Sequence, residues 1–217
     1  MNTAAVPYPR VLADVLPRPS DRVGGLARDG ALVAGFAVLT ALFAQISIDL
    51  GFTPVPITGQ TFAVLLAGTA LGWERGMLSQ LVYWVAGIFM PVAWYADDHS
   101  GSSIRAGWHV ATGTTAGYLA GFVLAGAITG YLAERGQDRD FVTSAPAMLA
   151  GTAVIYTCGV LWLAHKLDIP VSPNSAGDPN AISYGLTPFL VGDTIKLLIA
   201  GALTPIAWAG VERFNRR

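Results

Sequence analysis

Charge is scarce in this chain, and so are the motifs that would use it. Asp, Glu, Lys and Arg make up 12% of the 217 residues, against about 25% in an ordinary soluble domain. Only two of the cations are lysines, Lys166 and Lys196, and neither stands in a G-x-x-x-x-G-K-[ST] loop, so the chain has no P-loop with which to hydrolyse ATP. His99, His109 and His165 lack H-E-x-x-H spacing, and no G-x-S-x-G elbow occurs. An intramembrane hydrolase would have to be built on an isolated serine such as Ser47 or Ser79. The single cysteine, Cys158, excludes an intrachain disulfide and reads as a small core residue. No basic stripe argues for nucleic acid. Prolines at 7, 9, 17 and 19 interrupt the first 29 residues, and no 7–15-residue apolar core of a signal peptide is found there.

What the chain has is hydrocarbon. Hydrophobic residues make up 53% of it, and the mean hydropathy is +0.51. Apolar runs at Gly30–Ile48, Ile57–Trp73, Gly76–Ala96, Ala111–Ala133, Pro146–Leu167 and Leu186–Ala209 each approach the ~20 residues that cross a ~30 Å hydrocarbon core. The expected fold class is therefore all-α, a polytopic membrane protein with a six-transmembrane-helix bundle over 30–209, a cytoplasmic tail at 1–29 and another at 210–217. Arg10, Arg18, Arg22, Arg28, Arg75, Arg135, Arg139, Arg213, Arg216 and Arg217 all fall on one side of that topology. The other side holds Arg105, with Lys166 near a helix end, among Asp49, Asp97, Asp98, Asp168 and Asp178. The positive-inside rule then places both termini in the cytoplasm.

Within the last run stand Asp193 and Lys196, one helical turn apart on one face. A charge inside a spanning helix costs about 2.5–3.5 kcal/mol even on insertion scales, so it persists where it faces protein or ligand. The pair offers an acceptor and a donor side by side, or neutralises itself. Ala37 and Ala41, flanked by Ala34 and Ala44, and the series Gly113, Gly117, Gly121 and Ala125 give small faces that let backbones approach closely. Pro54 and Pro56 stiffen the short connection 49–60 into something able to cap a cavity. Of the aromatics near the loops, Tyr83, Trp84 and Tyr118 lie deepest in their runs and are the candidates to line a site. These features suit binding of a small polar ligand within the bundle, and a self-sufficient secondary transporter or a channel is one class in play. No 3+3 repeat favours the carrier.

Several segments match something known: Phe52-Thr-Pro-Val-Pro-Ile-Thr-Gly-Gln-Thr-Phe-Ala-Val-Leu-Leu-Ala-Gly68, then Leu71-Gly72, Arg75-Gly76, Leu78-Ser79-Gln80, Met90-Pro91, Gly113-x-Thr-x-Gly117-Tyr118-x-x-Gly121-Phe122 and Gly192-Asp193-x-x-Lys196. In these the chain resembles the BioY family, the biotin-specific S components of energy-coupling factor (ECF) transporters. It departs from the family in a longer segment at 92–110 and in Gly113-Thr114-Thr115, where Gly-Pro-Thr is expected. The resemblance implies a six-helix subunit that captures biotin and takes no cofactor of its own. Its partners would be membrane lipid, a transmembrane coupling subunit and cytoplasmic ATPase subunits, which alone use ATP. Biotin offers two ureido N–H donors, a carbonyl, an apolar bicycle and a carboxylate. Asp193 suits the N–H groups, Lys196 a ligand oxygen, Thr58 and Gln60 the head or the lid, and Tyr83, Trp84 and Tyr118 the bicycle. Arg105 is the outer-loop cation available to the carboxylate. Ala37 and Ala41 are expected to face the coupling subunit.

Overall fold

The computed structural model describes residues 9–96, 106–173, 175 and 178–215. Its elements in chain order are α1 (Arg22–Ala44), β1 (Ser47–Ile48), β2 (Ile57–Thr58), α2 (Gln60–Leu71), α3 (Trp73–Phe89), α4 (Trp108–Ala111), α5 (Ala116–Glu134), α6 (Phe141–Leu167), α7 (Ala181–Gly185) and α8 (Leu190–Asn215). Short 3-10 turns lie at Leu12–Val15 and Thr187–Phe189. The fold is all-α, apart from one small antiparallel ladder that pairs Ser47 with Thr58 and Ile48 with Ile57. Four helical stretches, Arg22–Ala44, Ala116–Glu134, Phe141–Leu167 and Ala181–Phe214, are long and apolar enough to cross a bilayer. By contrast α2, with 12 residues, rises only about 18 Å.

Local chemistry sets several boundaries. Asp21 caps α1 by accepting from the Gly24 N–H at 2.7 Å, so the helix begins at Arg22, ahead of the apolar run first seen at Gly30. The residues before it fold back as a strap. Val11 and Ala13 are buried against Leu71 and Ala133, Asp14 pairs with Arg75 at 2.8 Å, and Arg139 donates to the Pro9 carbonyl at 2.9 Å. Beside that contact the guanidinium of Arg139 lies 3.4 Å from the centre of the Trp208 ring. The Trp208 indole in turn donates to buried Asp138 at 2.6 Å. One end of the bundle is thus closed by its own N-terminal segment.

Glycine brings three helices together. Gly72, at φ +87°, turns the chain directly from α2 into α3, and Glu134 at the end of α5 accepts from the Trp73 N–H at 3.0 Å to cap the new helix. A Cβ on Gly130 would stand 2.4 Å from the Gly72 carbonyl carbon, and one on Gly126 would stand 2.8 Å from the Gly76 oxygen. Backbone therefore rests on backbone along α5. On the opposite side of α5, Gly121 lies as close to the Ile155 backbone of α6. Gly130→Ala should consequently destabilise the fold by roughly 1–3 kcal/mol, the range for overpacking a tight interface. A thermal melt in detergent checks this, and a wild-type melting temperature would show that the α2–α3 turn yields freely.

Candidate functional site

The polar residues of the bundle interior converge under the β1–β2 loop. Asp193 lies in the first turn of α8, where the helix N-terminus favours a negative charge, and it is only 5% exposed. Three side chains answer it. Lys196, one turn further along α8, donates to Oδ1 at 2.5 Å, Tyr156 of α6 donates to Oδ2 at 2.6 Å, and Thr61 of α2 donates to Oδ1 at 3.3 Å. The Lys196 ammonium also donates to the Thr58 carbonyl at 2.5 Å. A carboxylate and an ammonium withdrawn from water hold together because each has further protein partners.

Beside this cluster lies a cavity of about 50 Å3 whose lining includes Asp193, Tyr156, Thr58, Gln60, Thr61 and Tyr118. Leu119, Phe122, Ile155 and Phe189 supply apolar walls, Val55 and Pro56 of the loop and Tyr95 and Ala96 close it, and Thr115 adds a hydroxyl. Two side-chain hydrogen bonds add to the Lys196–Thr58 bond in fixing the cover. Thr53 Oγ1 donates to the Tyr184 carbonyl at 2.7 Å, and Tyr118 OH donates to the Gly185 carbonyl at 2.7 Å, so the 49–59 loop and α7 are both tied down. The chemistry on offer is one carboxylate acceptor, one ammonium, an amide able to give and take, and aromatic faces: a set for holding a small polar molecule with an apolar body.

Asp193, Gln60, Thr58 and Tyr118 thus meet at one cavity as the sequence suggested, with Lys196 bound to two of its lining residues. Two aromatics do not line it. Tyr83 is wholly buried behind Gln60, whose Nε2 donates to its hydroxyl at 2.6 Å. Its ring stacks on Trp94 with centroids 5.9 Å apart, so it positions Gln60 rather than contacting the cavity. Trp84 donates its indole N–H to the Ala111 carbonyl at 3.0 Å and braces α3 against α4. Arg105 lies outside the described residues.

Ala37 and Ala41 also require correction. They are 1% and 6% exposed and belong to the internal core. Together with Thr40 and Ala44 they form the inward stripe of α1, where Thr40 meets Gln80 of α3 at 3.3 Å. The outward face of the same helix carries Gly30, Ala31, Ala34 and Gly35. Sequence reasoning misses Tyr156, Thr61 and Thr115; a tyrosine in the middle of the apolar run 153–160 is the available signal.

Taken together, fold and site define a polytopic α-helical membrane protein with a polar-ended cavity inside its bundle. The BioY family profile matches residues 14–213, and the chain belongs to that family. It is 35% identical over 182 residues to the biotin transporter BioY of Rhizobium etli, covering 76% of this chain and 89% of that one. It is 38% identical over 175 residues to the probable biotin transporter BioY of Pyrococcus horikoshii, covering 80% and 92%. The fold matches the crystal structure of the S-component for biotin from an ECF-type ABC transporter with a TM-score of 0.68 at 16% identity, over 91% of this chain and 96% of that one.

Removing one partner of a buried pair leaves the other charge uncompensated, at a cost on the order of 3–5 kcal/mol. Lys196→Met should therefore sharply lower the melting temperature measured without added solute. Adding Asp193→Asn to it should restore much of the loss. Lys196→Met melting as wild type would mean that Thr61 and Tyr156 suffice for the carboxylate.

Proposed function

We propose that this protein is the biotin-binding S component of an ECF-type transporter, capturing biotin at the cavity beside Asp193 and delivering it to the cytoplasm. The observation that carries the reading is the buried Asp193 carboxylate on the wall of an otherwise largely apolar cavity, in a chain of the BioY family. The ureido head of biotin presents two N–H donors, and a carboxylate is the acceptor that suits them. Charge-assisted bonds of that kind contribute about 1.5–3 kcal/mol each. Thr61, Tyr156 and Lys196 already donate to the carboxylate. Of these, Thr61 makes the longest bond and is the partner that a ureido N–H replaces most readily. Tyr118, Phe122 and Phe189 supply faces for the bicycle, and Arg105 is the cation available to the ligand's carboxylate.

The remaining assignments follow from the same reading. Six spanning segments put both termini on the cytoplasmic side, with the arginine-rich strap, and the 49–59 loop outside. Energy comes from partner ATPase subunits through a transmembrane coupling subunit. The partner surface moves from Ala37 and Ala41 to the outward face of α1. There a Cβ added to Gly30 or Gly35 would meet nothing within 4 Å, and Ala31 and Ala34 lie on the same side of the helix.

Calorimetric titration of detergent-solubilised protein with biotin should show binding without nucleotide or ion gradient. Asp193→Asn should weaken it by at least ~2 kcal/mol, about thirtyfold. Folded protein that gives neither heat nor thermal stabilisation at a large excess of biotin would overturn the reading. On the partner face, Ala31→Trp and Ala34→Trp should abolish biotin uptake by cells and leave binding by the purified protein intact. Uptake that survives both bulky replacements would place the partner elsewhere.

A further inference from the structure

A second hollow, about 470 Å3, lies outside the bundle between α6 and α8. Its walls run from Leu149 to Leu161 on α6 and from Leu190 to Leu197 on α8, with Val171, Ile182 of α7 and Leu186 completing the lining and Ala153 and Thr157 at its exposed edge. Both helices are among those long and apolar enough to cross a membrane. The groove reaches inward to Tyr156 and Asp193, the two residues that also line the central cavity. Their 2.6 Å hydrogen bond is therefore a partition: polar cavity on one face, groove on the other.

We infer that this groove is a lipid site, occupied by a single acyl chain of a bilayer phospholipid that seals the outer face of the Tyr156–Asp193 partition. Two observations select this occupant. The walls carry no charge apart from Asp193 at the innermost point, so the groove suits hydrocarbon and not a headgroup. The span from Leu149 to Leu161 rises about 18 Å, close to one leaflet of a ~30 Å hydrocarbon core. Seated there, the acyl chain covers the outer face of the Tyr156–Asp193 hydrogen bond with hydrocarbon. The inference does not depend on which solute fills the central cavity.

The test is photo-crosslinking in phosphatidylcholine nanodiscs doped with phosphatidylcholine carrying a diazirine midway along one acyl chain, followed by peptide mapping. Adducts should concentrate on residues 149–161 and 186–197 over the equally lipid-facing Val38 and Leu42 of α1. Ala153→Trp and, independently, Thr157→Phe fill the groove from its exposed edge. In each, provided the protein elutes as folded, labelling of the groove should drop to the level seen on α1. Even labelling of α1, α6 and α8 in the wild type would overturn the inference, and so would enrichment that survives either filling substitution.

Discussion

A carboxylate that cannot reach water must be answered by protein, and the answer given to Asp193 ties this molecule together. Its effective burial penalty is several kcal/mol unless partners take up its lone pairs. Those partners come from three separate helices: Thr61 from α2, Tyr156 from α6 and Lys196 from α8 itself. Lys196 then reaches back to the Thr58 carbonyl, which draws in the end of the lid loop. The site is thus framed by helices with fixed registers, and rigid elements hold binding groups more precisely than loops do.

The shortness of α2 is the second constraint, and it follows from glycine. Gly72 turns the chain tightly, and α5 presents Gly126 and Gly130 so that the α2–α3 turn can lie on it backbone to backbone. At about 18 Å, α2 is too short to cross a ~30 Å hydrocarbon core upright, and the chain beyond its Gln60 end is the irregular 49–59 segment. Backbone polar groups without a helix to pair them need protein or water. The inner part of the segment has protein: Thr53 and Val55 are buried, and Val55, Pro56 and Thr58 line the cavity, while Asp49, Gly51 and Phe52 are exposed.

Much of this is legible in the residues. Hydropathy locates the longer helices among the described residues, because lipid-facing and bundle-facing surfaces are both apolar and the runs stand out from the loops. Asp193, Lys196 and Gln60 are visible as polar groups in places where polar groups are costly. What cannot be read is direction. The small pair Ala37 and Ala41 announces a close approach without saying which side of α1 makes it, and only the adjoining Thr40, buried against Gln80, marks the inward face. Depth in an apolar run likewise does not give direction: Tyr83 is turned behind Gln60 and Trp84 toward the Ala111 carbonyl. Tyr156 is inconspicuous in an apolar run because its role is a single hydrogen bond to a residue 37 positions away. The start of α1 escapes for a different reason: Asp21 caps the helix ahead of the apolar run, and capping is independent of hydropathy.

The small size of the central cavity bears on how such a site works. About 50 Å3 holds a few water molecules, not a bicyclic solute, so binding must displace some of the lining. The helices are poor candidates to yield. Backbone contacts at Gly68, Gly126 and Gly130 leave α2, α3 and α5 no slack, and parting α2, α6 and α8 would strip Asp193 of its partners. The lid remains. Thr53 ties it to the Tyr184 carbonyl, Lys196 holds its Thr58 carbonyl, the short β1–β2 ladder joins its two ends, and Tyr118 bonds Gly185 across the end of α7. Of these, the Thr53 bond is neutral and worth about 1 kcal/mol net. Breaking it frees the middle of the loop while the Thr58 end stays fixed to Lys196, so the least costly opening moves 50–56 and leaves the helices and the buried charges in place.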